Sequence, residues 1–236
     1  MLGIDSSNCW LKNECNQCDC DSPSCIRLVK LDYLYNEANV SLFQRKNIEL
    51  KLIDGINLVD KEAFTRLSSI KSDIVNFINE GNNLYLYSEK VGNGKTAWVI
   101  KLLQAYFNSI WASSNLECRA LFIHVPQFLL ALKDNISEKS DYIQHVKENI
   151  LNCDLVIFDE LTTRAGTNFE LDHLLSYINT RLSSGKSCFY TSNVKPNELA
   201  SYLGERLSSR VVNLSECIEL KGEDLRAISK QLGGNK

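Results

Sequence analysis

The sequence predicts an α/β fold with a parallel sheet and helices on both faces. From residue 84 onward, short apolar segments alternate with longer segments of helical periodicity. The apolar segments are continuous, as in parallel strands that are covered on both faces. The chain has 236 residues, 44% of them hydrophobic, which is enough for one such domain and a small appendage.

The elements are predicted in the following order along the chain. Helices are expected at 29–45, 60–80, 95–113, 126–136, 141–152, 169–184 and 196–209, and strands at 84–87, 119–125, 154–160, 187–192 and 217–220. Asp60 is predicted to cap the second helix, because its carboxylate can accept hydrogen bonds from the unpaired amides of a first turn. Gly81 and Asn82 are expected to end that helix.

Composition narrows the class of protein. The formal net charge of −3 excludes a chain that binds polyanions over its whole surface. No segment approaches the roughly 20 apolar residues that span a bilayer. The first ten residues, MLGIDSSNCW, lack the basic and apolar regions of a signal peptide. We therefore expect a soluble cytoplasmic protein, whose cysteines are free thiols or metal ligands rather than disulfides.

The nine cysteines are unevenly distributed, and five fall within the first 25 residues. This segment has few aliphatic residues, so a bound metal would have to order it. Cys9, Cys15, Cys20 and Cys25 are evenly spaced and are predicted to bind Zn²⁺ as four thiolates. An alternative set replaces Cys20 with Cys18, and an iron–sulfur cluster would use the same ligands. The isolated cysteines are predicted to be small buried hydrophobic residues: Cys118, Cys153, Cys188 and Cys217.

A phosphate-binding loop is predicted between the strand at 84–87 and the following helix. The loop ends in Gly92, Asn93, Gly94, Lys95 and Thr96. Small residues let backbone amides surround phosphates, and the helix N-terminus adds partial positive charge. The Lys95 ammonium would reach the β- and γ-phosphates of ATP, and the Thr96 hydroxyl would bind Mg²⁺.

One position departs from the phosphate-loop pattern. Glu89 stands where the pattern has its first glycine. Glu89 must therefore adopt a backbone conformation without a steric clash, and its carboxylate must point away from the nucleotide.

Two acidic residues end the apolar strand at 154–160. In an open α/β sheet, ligands bind at the carboxyl ends of strands, where the phosphate loop also lies. We expect Asp159 to hold Mg²⁺ directly or through water, and Glu160 to polarise the attacking water.

With these motifs, the chain resembles the AAA+ ATPases, and within them the helicase loaders of the DnaC/DnaI branch, including phage versions. The segments that carry the resemblance are EKVGNGKT, LVIFDEL, TSN and ERLSSR. It implies an AAA+ core whose helical lid is truncated. It also implies that Asn193 orients the lytic water. Arg210, or as second choice Arg206, would act as a finger on the nucleotide of a neighbouring subunit.

The resemblance also implies that two segments of the chain have different functions. Residues 1–46 would form a cysteine-rich zinc module that docks on the DnaB-type hexameric helicase, and residues 47–236 would form the ATPase domain. The chain would hydrolyse ATP to ADP and phosphate and load the replicative helicase onto single-stranded DNA, in a phage or prophage. Two other functions remain open: a transposition ATPase of the IstB type, and a zinc-dependent adaptor that does not hydrolyse nucleotide.

Overall fold

The computed structural model describes residues 25–46, 50–134, 139–162 and 168–225. Its helices are α1 (Ile26–Glu37), α2 (Leu42–Arg45), α3 (Lys61–Ser72), α4 (Ile74–Asn79), α5 (Lys95–Ile110), α6 (Val125–Asp134), α7 (Asp141–Asn149), α8 (Asn168–Ser183) and α9 (Ala200–Asn213). The strands are β1 (Asn83–Tyr87), β2 (Ala120–His124), β3 (Leu155–Asp159), β4 (Ser187–Ser192) and β5 (Ser215–Glu219). Within these residues, no helix is long and apolar enough to cross a membrane.

The five strands form one parallel sheet in the order β2-β3-β4-β1-β5. Side chains alternate across the sheet, so Leu84 and Leu86 of β1 face one core while Tyr85 faces the other. Helices α1, α3, α4 and α5 cover the first face, and α6, α7, α8 and α9 cover the second. The predicted fold class, with helices on both faces of a parallel sheet, is confirmed.

Three predicted helices are interrupted in the structure, and the one predicted at 196–209 breaks at Gly204, whose φ is 75°. The helix predicted at 29–45 divides into α1 and α2, with Asn39 between them at a φ of 59°. The helix predicted at 60–80 divides into α3 and α4 at Asp73, whose φ and ψ are −120° and 30°. After the break at Asp73, Ile74 and Ile78 of α4 continue onto the same core as α3, whereas after the break at Asn39 the apolar side chains of α2, Leu42 and Phe43, are exposed.

Asp60 directly precedes α3, but its predicted capping contact is absent. Its buried carboxylate instead accepts hydrogen bonds from the backbone amides of Lys221, at 2.6 Å, and Gly222, at 3.0 Å. Asp60 therefore holds the segment that follows β5 against the start of α3.

Helix α1 packs on the same core as the central sheet. Leu31, Leu34 and Tyr35 of α1 are buried in the same core as α5, and the Phe122 amide of β2 donates to the Ala38 carbonyl at 2.8 Å. The division of the chain at residue 46 stays a prediction. Of the predicted zinc ligands, Cys9, Cys15 and Cys20 lie outside the described residues.

Candidate nucleotide-binding site

The phosphate loop lies at the carboxyl end of β1 and leads into α5. Gly92 and Gly94 adopt φ values of +73° and +99°, which side chains rarely tolerate. Gly94 immediately precedes Lys95, the first residue of α5. The turn that the glycine-rich sequence predicts is therefore present, and the start of a 16-residue helix lies where the phosphates would bind.

Lys95 and Asn93 organise the loop from within. The Lys95 ammonium is mostly buried and donates to the Lys90 carbonyl at 3.1 Å and to Asn93 Oδ1 at 3.3 Å. The Asn93 amide donates to the hydroxyl of Ser88 and, at 2.9 Å, to the carbonyl of Leu220. A buried ammonium group at the start of a helix is electrostatically suited to receive phosphate.

The two predicted magnesium ligands lie together. The Thr96 hydroxyl donates to Asp159 Oδ1 at 2.9 Å, and the Thr191 hydroxyl donates to the same oxygen at 2.7 Å. Burial raises the pKa of Asp159, and the hydrogen bonds from Thr191 and Thr96 partly offset this rise. A cation at this position would favour the charged carboxylate, so the donor set fits Mg²⁺.

Glu160 follows β3 in a left-handed conformation, with a φ of 57°. Its amide donates to the Thr191 hydroxyl at 3.0 Å, which fixes the backbone at this unusual angle. Its carboxylate lies 3.1 Å from Nε2 of His124, and both side chains are about 40% exposed. The carboxylate can therefore reach a water molecule, as a general base requires.

Sequence reasoning missed two residues of this cluster, Thr191 and His124. The parallel register places His124 opposite Asp159, and it places Phe158 opposite Tyr190, so that Thr191 falls beside Asp159. Each is a polar residue at the carboxyl end of an apolar strand. That pattern could have identified both, had the strand order been known.

Glu89 does not obstruct the loop. The described residues with positive φ, apart from glycine, are Asn39 and Glu160, so Glu89 avoids the conformation that its missing glycine would favour. Its carboxylate forms an ion pair with the Lys195 ammonium at 2.6 Å, and the Glu89 side chain is 56% exposed. The partner Lys195 thus holds the acidic group in solvent beyond the carboxyl end of β4.

The segment after β5 lies over the phosphate loop. The Leu225 amide donates to the Gly92 carbonyl at 3.1 Å, and Glu223 pairs with Lys90. A Cβ atom at Gly92 would lie 1.9 Å from Asp224 Oδ1, so the Asp224 carboxylate rests directly on this glycine.

The remaining predicted site residues are not gathered here. Asn193 is half-buried one residue beyond β4, and among the described residues no hydrogen bond joins it to Asp159 or Glu160. Arg206 and Arg210 are exposed on α9, beyond a break at Gly204, and neither forms an ion pair within the described part of the chain. Their roles stay predictions.

Two of the isolated cysteines differ from expectation. Cys153 and Cys188 are buried as predicted, whereas Cys118 is half-buried and Cys217 is exposed on the edge strand β5. The prediction of a buried residue is wrong for Cys217, because its side chain lies on the outer edge of the sheet.

A parallel sheet in this strand order, a phosphate loop with a mostly buried lysine, and an acidic pair at the neighbouring strand end together define a P-loop ATPase domain of the AAA+ type. The family model described as the bacterial DnaA ATPase domain matches residues 71–214. The chain belongs to this family.

Individual relatives are distant. The chain is 23% identical over 194 residues to the chromosomal replication initiator protein DnaA of Ureaplasma parvum serovar 3, covering 80% of this chain and 41% of that protein. It thus spans about two fifths of the length of this curated relative.

Three solved structures share the fold. The crystal structure of the DnaC helicase loader matches with a TM-score of 0.58 and 20% identity, over 75% of this chain and 96% of that one. The crystal structure of DnaI matches with a TM-score of 0.56 and 20% identity, over 79% and 94% of the two chains. The replication initiator DnaA bound to AMPPCP and single-stranded DNA matches with a TM-score of 0.55 and 18% identity, over 78% and 54%.

Proposed function

We propose that this protein is an ATP-dependent loader that places a DnaB-type hexameric replicative helicase on single-stranded DNA during phage or prophage replication. The observation that carries the proposal is the cluster of Lys95, Thr96, Asp159 and Glu160, on a fold that matches 96% of the chain in the DnaC helicase loader structure.

The described residues divide the chemistry of hydrolysis among them. The amides of Gly92 and Gly94, with the Lys95 ammonium, would bind the triphosphate. The Thr96 hydroxyl and Asp159 carboxylate would hold Mg²⁺, which would supply charge neutralisation to the phosphates. Glu160 would accept a proton from the attacking water.

Two exposed arginines of α9 support the proposal that the protein acts as an oligomer. Arg206 and Arg210 are exposed and unpaired within the described residues. An exposed arginine near the end of α9 is free to reach the nucleotide of a neighbouring subunit, where it would stabilise negative charge on the transferred phosphoryl group. We favour Arg210 for this role, with Arg206 as second choice. Asn193, beyond the end of β4, would orient the lytic water.

The N-terminal module is the proposed helicase contact. Residues 1–46 would bind Zn²⁺ through Cys9, Cys15, Cys20 and Cys25. Part of α1 and α2 stays available for a partner, because Ile26, Val29, Leu42 and Phe43 are exposed while the opposite face of α1 is buried against the core. Phe43 is 80% exposed, and isolated aromatic side chains of this kind commonly anchor interfaces.

Helicase binding is tested by the mass of the complex. The full chain is mixed with DnaB-type helicases and ATP, and the complex is analysed by size exclusion with light scattering. We expect a complex that Cys15→Ser or Phe43→Ser abolishes and Cys217→Ser preserves, since Cys217 is an exposed cysteine outside the module. Loading is then measured as unwinding of a DNA with an internal single-stranded region.

A different result would favour the alternatives. If the chain binds and hydrolyses ATP but forms no complex with any helicase tested, the IstB-like transposition ATPase becomes the better proposal. If the chain does not bind ATP and forms no ATP-dependent complex with a helicase, the zinc-dependent adaptor becomes the better proposal.

A further inference from the structure

Three side chains of different chemistry converge away from the nucleotide site. One ligand atom from each of Glu37, Cys118 and His145 lies within 4.8 Å of the others. Glu37 is the last residue of α1, His145 lies on α7, and Cys118 precedes β2. The cluster therefore lies at the amino end of β2, whereas the nucleotide site lies at the carboxyl ends of the strands.

The hydrogen bond of His145 orients its ring for metal binding. Its Nε2 lies 2.8 Å from the backbone carbonyl of Glu37, and because a carbonyl only accepts, Nε2 carries the proton. In the neutral ring, Nδ1 then presents a lone pair. A ring nitrogen fixed by a backbone carbonyl, with the other nitrogen left to coordinate, is the usual arrangement of metal-binding histidines.

The lone pair of His145 faces an anionic group. Nδ1 lies 3.9 Å from the Glu37 carboxylate oxygen Oε2. The Asn149 amide is 3.4 Å from the same Nδ1, too long for a strong hydrogen bond, and it also donates to the His145 carbonyl at 2.9 Å. Two acceptors that face each other at this separation are stabilised by a cation between them.

Cys118 completes a donor set of nitrogen, oxygen and sulfur. Its sulfur lies 3.6 Å from the Glu37 carbonyl, at the rim of a cavity of about 370 Å³ that Glu37 and Asn149 also line. Tetrahedral zinc with bonds of about 2.0–2.3 Å needs ligand atoms about 3.3–3.7 Å apart, which small side-chain rotations reach from the present positions. These rotations need no movement of the backbone. The end of α1 is already fixed beside β2, because the Phe122 amide donates to the Ala38 carbonyl.

We infer that Glu37, Cys118 and His145 form a binding site for a divalent metal of the zinc class, distinct from the N-terminal cysteine segment. Mixed nitrogen, sulfur and oxygen donors select zinc over magnesium or calcium. Three protein ligands leave the fourth position to a water molecule from the adjoining cavity. The metal fastens α1, the helix that follows the cysteine-rich segment, to β2 and α7 of the ATPase core.

Zinc content of the purified full chain tests the site. The wild-type chain is purified by gel filtration, and its zinc content is measured by inductively coupled plasma mass spectrometry. We expect Glu37→Gln to carry one zinc per chain less than the wild type. This variant keeps the side-chain volume and the backbone carbonyl that holds His145. Cys118→Ser and His145→Ala are expected to lose the same equivalent, and His173→Ala and Cys217→Ser to lose none.

A second variant distinguishes zinc bound at this site from zinc bound by the N-terminal cysteines. Cys15→Ser is expected to retain one zinc per chain, which the combination with Glu37→Gln removes. The proposal is overturned if Cys15→Ser alone removes all the zinc. It is equally overturned if Glu37→Gln, with a wild-type circular dichroism spectrum, retains the wild-type zinc content. In either case His145 and Glu37 form only a hydrogen-bonded contact between α1 and α7.

Discussion

The Thr96 hydroxyl donates a 2.9 Å hydrogen bond to Asp159 Oδ1, which joins the first turn of α5 to the end of β3 across 63 residues of sequence. This contact brings the two predicted magnesium ligands within hydrogen-bond distance of each other. Thr191 donates to the same oxygen and accepts from the Glu160 amide, so the proposed metal-binding acid and the proposed base share one polar residue of β4.

The first prediction concerns Glu160. The substitution Glu160→Gln preserves the side-chain volume and removes the base, so we expect ATP affinity to be retained and the turnover rate to fall at least about 100-fold. Steady-state phosphate release and binding of a fluorescent ATP analogue measure the two effects. Glu198→Gln, at an exposed acid beyond β4, is the control and should leave both unchanged. Normal turnover in Glu160→Gln would contradict the assignment.

The second prediction concerns the missing glycine of the phosphate loop. Because Glu89 avoids positive φ and pairs with Lys195 in solvent, we expect Glu89→Gly to change ATP affinity by less than about fivefold. Lys95→Ala, measured in the same titration, should abolish detectable binding. A large gain of affinity in Glu89→Gly would mean that Glu89 impairs the loop, as the adaptor alternative requires.

The third prediction concerns Asp224. Its carboxylate rests on Gly92, where it opposes the negative charge of an entering phosphate. We expect Asp224→Asn to tighten ATP binding by about fivefold to tenfold, and the gain to shrink at high salt as exposed charges are screened. Glu223→Gln removes the neighbouring charge, which pairs with Lys90 rather than lying against Gly92, and serves as the control. Weaker binding in Asp224→Asn would instead assign this carboxylate a supporting role.

The fourth prediction concerns the fully buried Arg181 of α8. Its guanidinium donates to four backbone carbonyls, those of Ile150, Cys153, Asp154 and Ser187. Arg181→Met leaves these carbonyls without their donor, and we expect the free energy of unfolding to fall by at least about 3 kcal/mol.

Urea unfolding followed by circular dichroism measures this loss. Arg206→Met, at an exposed arginine of α9, should change the free energy of unfolding by less than about 0.5 kcal/mol. Equal stabilities of the two variants would show that water replaces the Arg181 contacts.

Sequence patterns predicted those parts of the site whose residues are neighbours in the chain. The glycine-rich loop requires particular residue types within one turn, so its position and its lysine were found from neighbouring residues. Asp159 and Glu160 were found because an apolar strand ends abruptly in two acids. The helix break at Asp73 was not predicted, since apolar periodicity continues across it while the backbone turns, and the break at Asn39 has no glycine or proline to mark it.

The α/β class, the phosphate loop and the acidic strand end follow from the sequence alone, because each depends on residues that are close together in the chain. The tertiary structure was needed to show that His124 and Thr191 join this site, that Asp60 holds the segment after β5, and that Glu89 pairs with Lys195. These contacts depend on strand order and on packing between distant segments. Contacts between residues 31 to 161 positions apart leave no local sequence pattern from which they could be predicted.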